Sequence, residues 1–192
     1  MIYTIGIEAD IKLIERLTFL QEDLGKIAAG RGADSRWARP EYMYVPLVHL
    51  GVQDEGDVPE MNHIIDRCTQ EIAPFRISVA GISAWPDPSC PRLIQIAIDL
   101  GRDKLFKIRE QLTEALSAAN FGYDARPFKP VMLMGRIVTP ESRVDLSDAI
   151  QAIQDLNFGG SDVFELALYS ADLSETGTIH HVVSRYFLRG GK

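Results

Sequence analysis

The amino-acid sequence contains the same pattern twice, once in each half. In the first half an apolar and aromatic segment, 42–50, follows Pro40, and in the second half an apolar segment, 131–138, follows Pro130. Both segments are predicted strands, and amphipathic helical segments flank each of them along the chain. Two similar sets of strands and helices predict an α+β protein of two packed lobes. A groove between such lobes is a favoured place for a ligand.

The spacing of apolar residues predicts the remaining elements. Strands are predicted over 2–7, 75–79, 92–100, 163–169 and 179–188, and helices around 11–24, 61–72, 105–116 and 146–153. Between the first helix and the segment 42–50 lies a Gly- and Arg-rich stretch, 30–36. Its Gly30-Arg31-Gly32 sequence is typical of a flexible linker, and it is also a sequence whose amides and guanidinium could contact a phosphate.

Charge and composition limit the partners of this chain. The 192 residues include 20 Lys and Arg against 27 Asp and Glu, and the net charge of −7 argues against a long duplex nucleic acid. The sequence contains no run of about 18 apolar residues, so we expect no membrane partner. The first residues do not have the pattern of a signal peptide, and Cys68 and Cys90 form no metal-binding motif. We therefore expect a cytoplasmic protein without a cofactor, and its oligomeric state stays open.

Two segments resemble the signatures of a known family. Residues 36–51 resemble the first signature of the LigT-like RNA 2′,3′-cyclic phosphodiesterases, also called 2′-5′ RNA ligases, in the two-histidine phosphoesterase superfamily, and residues 128–136 resemble the second. The likeness covers essentially the whole chain. It implies one domain, 1–192, of two intertwined lobes with pseudo-twofold symmetry. Two antiparallel sheets would face a central groove, with the helices outside.

The side chains that perform the family's reaction are absent from both signatures. Family members have His-x-Thr in each one, where the histidines act as general base and general acid and the threonines bind the phosphate. Here the first motif contains Tyr44 and Pro46, and the second contains Val131 and Leu133. A positioned acid or base contributes about 10² to 10⁴ in rate, and valine carries no proton to exchange. The resemblance thus implies the fold and argues against its usual reaction, so we assign no catalytic residue.

Several residues near the altered motifs are candidates for binding a ligand. Aromatic rings that could stack on a base and cations that could contact an anion are Trp37, Tyr42, Arg126, Lys129 and Arg136. Strand alternation places Lys129 on the same face as Val131 and Leu133, and it places Arg136 on the opposite face.

The histidines predict neither a metal site nor a replacement catalyst. Alternation along the first apolar strand predicts that His49 points away from the groove. His180 and His181 are neighbours on a strand, so their rings lie on opposite faces and cannot share one metal. We expect no metal site.

Three hypotheses about function follow from these residues. The favoured one is a non-catalytic LigT-like protein that binds a protein partner or a small nucleotide in the former active-site groove. The second is an active cyclic phosphodiesterase with an unconventional acid and base, such as Tyr44 and a residue from a loop. The third is a structural or regulatory module that acts through its outer surface. A groove simply filled by apolar side chains is the alternative to any binding role.

Overall fold

A computed structural model describes residues 1–138, 144–174 and 177–191. In these ranges the chain forms nine β-strands, four α-helices and two short 3-10 helices at Pro40–Tyr42 and Glu55–Asp57. The strands are β1 (Ile2–Glu8), β2 (Ser35–Trp37), β3 (Tyr44–Val52), β4 (Phe75–Trp85), β5 (Leu93–Ile98), β6 (Val131–Ile137), β7 (Asn157–Val163), β8 (Glu165–Ser174) and β9 (Gly177–Phe187). The helices are α1 (Ile11–Gly30), α2 (Val58–Thr69), α3 (Arg102–Ala118) and α4 (Ser147–Ile153).

The strands form two antiparallel sheets. The first sheet has the order β3-β1-β8-β9, and the second has the order β2-β6-β5-β4-β7. The first sheet therefore joins β1 and β3 to the last two strands, β8 and β9, whereas the second contains β2 and the strands from β4 to β7. This arrangement confirms the expected fold class of two antiparallel sheets with helices outside.

Each sheet carries helices on one face. Helices α2 and α3 contact the first sheet, and α1 and α4 contact the second. Apolar side chains on the covered faces are fully buried, for example Ile5 in β1 and Ile96 in β5. Alternate residues of the same strands point to the opposite faces, which no described helix covers. Because β3 and β6 lie side by side where the sheets meet, the two uncovered faces border a common space, which we call the central groove.

Polar contacts fix helix α1 at its start and in its middle. The Asp10 side chain accepts a hydrogen bond from the Leu13 amide at 2.8 Å, which caps the N-terminus. The buried Gln21 amide donates to the carbonyl oxygens of Ala38 at 3.0 Å and Met134 at 2.7 Å. These bonds connect helix α1 both to strand β6 and to the segment between β2 and β3.

The stretch 30–36 is more ordered than a linker. It contains the turn after α1 and the first residues of β2, a strand that the sequence pattern does not reveal. Arg31 donates two hydrogen bonds to the Asp148 carboxylate, at 2.7 and 2.8 Å, and so connects α1 to α4. Its guanidinium is occupied by this ion pair, which leaves the phosphate hypothesis for this stretch without support.

None of the described helices is both long enough and apolar enough to cross a membrane.

Candidate ligand-binding groove

The four positions of the altered motifs lie on strands that border the central groove. Tyr44 and Pro46 are in β3 of the first sheet, and Val131 and Leu133 are in β6 of the second. Tyr44 is 8% exposed, and the other three are partly buried. Proline, valine and leucine offer no side-chain hydrogen-bond donor. Among these four side chains, the Tyr44 hydroxyl is the sole polar group.

The Tyr44 ring lies flat across the first sheet. A methyl group on Gly6 of β1 would be 2.7 Å from Tyr44 Cδ2, so the ring passes directly over this glycine. On the far side of β1 it stacks on the Tyr169 ring of β8, with the centroids 4.1 Å apart and the planes 14° from parallel. Gly6 therefore makes room for an aromatic ring that spans three strands.

The Tyr44 hydroxyl ends among polar side chains. Its Oη lies 3.3 Å from Nδ1 of His180 in β9. Burial raises the pKa of Tyr44 to about 12, although a hydrogen bond with Thr4 acts in the opposite direction. A phenol with that pKa stays protonated at neutral pH, so Tyr44 donates hydrogen bonds and does not act as a base.

His49 faces the groove, and the prediction that it points away is wrong. In the pairing of β1 with β3, Gly6 lies opposite Pro46 and Ile5 lies opposite Val48, so β3 contains one extra residue between them. This β-bulge reverses the alternation beyond it and turns His49 to the same face as Tyr44. There Nδ1 of His49 lies 3.1 Å from the Thr4 hydroxyl.

Hydrogen bonds connect the two histidines through two hydroxyl groups. The order is His49, Thr4, Tyr44 and His180, and we call this set the polar network. Burial lowers the pKa of both His49 and His180, so both imidazoles are neutral at pH 7. The first sheet thus presents two neutral imidazoles to the groove, at positions that differ from the family's motifs.

A second polar group lies beneath the Tyr44 ring. The Tyr169 side chain is 1% exposed, and its hydroxyl has no hydrogen-bond partner among the described residues. Burial and the nearby Glu8 carboxylate raise its pKa. Near Tyr169, Arg185 of β9 forms ion pairs with Glu8 of β1 at 3.0 Å and with Glu165 of β8 at 3.2 Å.

The two candidate stacking residues lie in different places. The Tyr42 ring is 5.1 Å from the His180 ring, at the edge of the groove. Trp37 packs on the covered face of the second sheet: a methyl group on Gly25 of α1 would be 2.9 Å from its Nε1, and one on Gly135 of β6 would be 2.5 Å from its Cε3. The prediction that Trp37 stacks on a ligand in the groove is therefore wrong.

Two of the candidate cations lie on the segment that leads into β6. Arg126 is 85% exposed and donates through Nε to both oxygens of Asp124, each at 2.9 Å. This contact holds the pKa of Asp124 well below its usual range. Arg126 lines an open depression of about 630 Å³ that also includes His49 and Tyr123. Lys129 is exposed and forms no ion pair within 1–138, 144–174 and 177–191.

Arg136 faces the groove, which corrects the parity prediction made for it. Gln95 pairs with Leu133 and Ile94 pairs with Gly135, so β6 contains an extra residue between 133 and 135. The bulge places Arg136 on the same face as Leu133. The sequence could not show this, because strand alternation alone gives the opposite answer.

The described residues contain no cluster of three or more His, Cys, Asp or Glu side chains placed to hold a metal ion. His180 and His181 lie on opposite faces of β9, as predicted. His180 contacts the Tyr44 ring, whereas Nε2 of His181 is 3.7 Å from the Asp172 carboxylate.

Comparisons with known proteins agree with this fold. The RNA 2′,3′-cyclic phosphodiesterase of Aquifex aeolicus is 25% identical over 156 residues, which are 81% of this chain and 82% of that protein. The crystal structure of TT0787 of Thermus thermophilus superposes with a TM-score of 0.81 at 20% identity and 100% coverage of both chains. The structure of Escherichia coli LigT complexed with 3′-AMP gives a TM-score of 0.74 at 14% identity and 97% coverage of both. No protein-family model matches the sequence.

Proposed function

The chain is a LigT-like member of the two-histidine phosphoesterase family, and from this premise we propose that it binds a small nucleotide in the central groove without cleaving it. One observation supports the proposal most directly. The groove keeps its place between the sheets, while its motif positions hold Tyr44, Pro46, Val131 and Leu133. Such a surface can accept the flat face of a base but offers no acid or base to a phosphodiester.

Nucleotides are among the ligands that related structures contain. Escherichia coli LigT has been solved with 3′-AMP, with NADP⁺ and with ATP, which share an adenosine unit and phosphate. In the present chain, the partly buried Val131 and Leu133 would contact a base. Arg136 on the same face and the exposed Lys129 would contact its phosphate.

Loss of cleavage follows from the chemistry of the replaced positions. Neither Val131 nor Leu133 can exchange a proton, and burial raises the pKa of Tyr44 to about 12. Each missing acid or base removes about 10² to 10⁴ in rate. A nucleotide bound here would therefore stay intact unless other residues supply the proton transfers.

The polar network favours a second candidate function, a phosphodiesterase with a displaced acid and base. His49 and His180 lie on the groove side of the first sheet, connected through Thr4 and Tyr44. A neutral imidazole can accept a proton, and the hydroxyl groups could pass it on. Both imidazoles are on one sheet, however, whereas the family's two motifs lie on β3 and β6.

Calorimetric titration with 3′-AMP, ATP and NADP⁺ tests the binding proposal. We expect at least one of them to bind saturably and to raise the melting temperature in proportion to occupancy. Leu133→Glu should abolish this binding, because it replaces the apolar contact with the base by a charged carboxylate. Leu100→Glu is the matched control, since Leu100 is 54% exposed outside the groove. If none of the three binds, or if Leu133→Glu binds as wild type does, the proposal is wrong.

Incubation with 2′,3′-cyclic AMP separates the two candidate functions. The binding proposal expects no product above a buffer blank. The displaced-pair candidate expects product formation that is lost in Tyr44→Phe and in His180→Asn, whereas the exposed His63 can be changed without effect. Activity that survives both substitutions would exclude the displaced pair as its source.

Two further features fit the cytoplasmic location predicted from the sequence. Cys68 and Cys90 are both free thiols, and nucleotides are abundant intracellular ligands. We accordingly propose the cytoplasm as the site of action.

A further inference from the structure

Strand β9 of the first sheet is paired on one side only. It bonds to β8, and the order β3-β1-β8-β9 places no described strand on its other side. The remaining strands at the ends of the two sheets offer less free edge, since β3 lies beside β6, β7 contacts helix α1, and β2 has three residues. With eleven residues, β9 is the longest described strand that has an unpaired side.

The pairing of β8 with β9 shows which backbone groups face that side. The Leu188 amide donates to the Phe164 carbonyl at 2.8 Å, and backbone groups alternate in direction along a strand, so the even-numbered residues of β8 bond to β9. Their partners in β9 include Ile179, His181 and Ser184. The N–H and C=O groups that point to the unpaired side are therefore those of Thr178, His180, Val182 and Arg185. We call the segment 178–185 the open edge.

The end of β9 beyond the open edge is already covered. The Arg189 amide points to the same side, and it donates to the Thr69 carbonyl at 3.0 Å. The segment that follows α2 thus occupies this side after the strand ends. Along the open edge itself, no described residue bonds to the outward backbone groups.

The open edge also lacks most of the features that keep sheet edges apart. Native edge strands are usually protected by Lys, Pro or charges. Residues 178–183 are Thr, Ile, His, His, Val and Val, with neither Pro nor a Lys, Arg, Asp or Glu among them. Ile179, Val182 and Val183 are each 37% to 38% exposed. The one irregularity is the extra residue Val183, which limits the regular stretch to 178–182.

This regular stretch is complementary to itself in the antiparallel direction. When His180 lies opposite His180 of a second copy, Thr178 lies opposite Val182 and Ile179 lies opposite His181. Thr and Val have the same branched shape, and β-branched residues in cross-strand pairs stabilise a sheet. No like charges meet at the centre, because burial lowers the pKa of His180 and keeps its imidazole neutral at pH 7. The outward groups of both copies would form about six backbone hydrogen bonds.

We propose that β9 pairs with β9 of a second copy of this chain, antiparallel and about a twofold axis beside His180. The two four-stranded sheets then form one continuous sheet of eight strands, with an isologous interface. A twofold axis perpendicular to the sheet keeps each face on its own side. Both central grooves therefore open to the same side, and the two polar networks become neighbours at His180. The inference does not rest on the proposed function, since it uses only the edge of β9.

A second copy fits this edge better than a different protein does. Every molecule presents the same unpaired strand, so each copy supplies the edge that the other one lacks. The net charge of −7 repels two copies at long range, and an uncharged segment is where that repulsion opposes contact least. An extended segment of another protein could bond to the same backbone groups, but the protein alone would then remain monomeric.

Sedimentation velocity of the full chain tests the pairing. We expect the mass to rise with concentration from the 21.4 kDa of one chain toward twice that value. The dissociation constant should be about 1 to 100 µM, because one strand pair buries less surface than a standard interface. A mass that stays at one chain up to about 500 µM, well above that range, would overturn the proposal.

Two substitutions test the open edge itself. Val182→Pro removes an N–H that is unpaired within one chain, and Ile179→Lys places a charge in the contact. Each should weaken association by about tenfold or more, through lost backbone hydrogen bonds or a buried charge. Val182→Thr is the matched control for the first, since it keeps the N–H and the shape. Val52→Lys is the control for the second, because Val52 is 77% exposed at the end of β3.

Circular dichroism establishes that each variant is folded. If Val182→Pro does not fold, Ile179→Lys still decides, since lysine is a usual residue of edge strands. Association that survives unchanged in a folded variant of either kind means that another surface joins the copies, and the proposal is then wrong.

Disulfide cross-linking tests the register. The variant combines Ile179→Cys and His181→Cys in a chain with Cys68→Ser and Cys90→Ser. Residues 179 and 181 of the two copies would face each other with Cα atoms about 4.5 Å apart, within the reach of a disulfide, so we expect a covalent dimer under mild oxidation. Ile179→Cys alone in the same background is the control, because the two residues 179 are diagonal neighbours about 8 Å apart. A solution dimer without this cross-link, or equal cross-linking in the control, would contradict the pairing about His180.

Discussion

The hydroxyl of Tyr44 in β3 lies 3.3 Å from Nδ1 of His180 in β9, across the two intervening strands of the first sheet. The resemblance in sequence implies that Tyr44 stands where the family has a histidine, and its hydroxyl contacts an imidazole that lies outside both motif segments. The contact gives this position a structural role, because it joins β3 to β9 over the top of β1 and β8. The following predictions test that role and the chemistry that has replaced the motif.

Replacing Tyr44 with Phe removes the hydroxyl and keeps the stacked ring. We expect the free energy of unfolding to fall by about 1 kcal/mol, the usual contribution of one intramolecular hydrogen bond. Urea denaturation at pH 7.5 measures the change. Tyr123→Phe is the matched control, since the Tyr123 hydroxyl forms no hydrogen bond with a described residue. Equal stability of the two variants would show that the Tyr44 hydroxyl contributes nothing to the fold.

Gly6 should tolerate no side chain while Tyr44 is present. A methyl group there would be 2.7 Å from Tyr44 Cδ2 and 2.9 Å from the Val45 carbonyl oxygen. We expect Gly6→Ala to lower the free energy of unfolding by about 1 to 3 kcal/mol, as overpacking does. Gly30→Ala is the control, because a methyl group on Gly30 would meet nothing within 4 Å.

A double-mutant cycle identifies which contact causes the Gly6→Ala penalty. Removing the ring with Tyr44→Ala should make Gly6→Ala less costly in that background, although the Val45 carbonyl contact remains. If the penalty is the same with and without the ring, then the backbone contact is responsible, and Gly6 does not serve to seat Tyr44.

The sequence predicted the four helices and seven of the nine described strands, because apolar periodicity is a local property, and it missed the three-residue β2 and the Gly-containing β7. It predicted the faces of single residues poorly wherever a β-bulge intervened. His49 and Arg136 were both assigned to the wrong face, each beyond one extra residue in its strand. A bulge depends on how two distant strands pair, and a single sequence contains no direct signal of that pairing.

In the candidate site, too, local features could be predicted from the sequence, whereas features that depend on strand pairing could not. The four motif positions were assigned from their spacing to Pro40 and Pro130, which is local, and they lie on β3 and β6. Trp37 was placed near the groove because it precedes β3, but a three-residue strand puts its ring against helix α1.

Stability should fall as the pH drops below about 6.5, the reference pKa of histidine. Burial lowers the pKa of His49 and His180 in the folded state, so the unfolded chain binds more protons between the lowered values and 6.5. Unfolding is therefore favoured progressively across that window, and full stability is present above it. Urea denaturation at pH 7.5 and pH 5.5 measures the difference.

The variant with both His49→Gln and His180→Gln should lose less stability between these two pH values than the wild type does. His63→Gln, on the exposed side of α2, controls for the removal of an imidazole as such. Identical losses in the double variant and the wild type would assign the acid sensitivity to other groups. Protonation of the Asp124 carboxyl affects stability only at lower pH, because the contact with Arg126 depresses the pKa of Asp124.

Restoring the family's motifs should create hydrolytic activity, if the groove has kept its geometry. The variant combines Tyr44→His, Pro46→Thr, Val131→His and Leu133→Thr. Two positioned imidazoles contribute about 10² to 10⁴ each, so we expect hydrolysis of 2′,3′-cyclic AMP at least about 10²-fold above that of the wild-type protein. Product formation is followed by chromatography, and thermal denaturation establishes that the variant is folded.

The half-restored variants show whether the two motifs act together. A variant with only Tyr44→His and Pro46→Thr has one imidazole, and so does one with only Val131→His and Leu133→Thr. Each should be slower than the full variant by about 10² or more, because general base and general acid act on the same bond. A folded full variant without activity would mean that the sheets have moved apart from the reactive geometry. In that case the changed geometry of the groove, and not the four side chains alone, would account for the absence of cleavage.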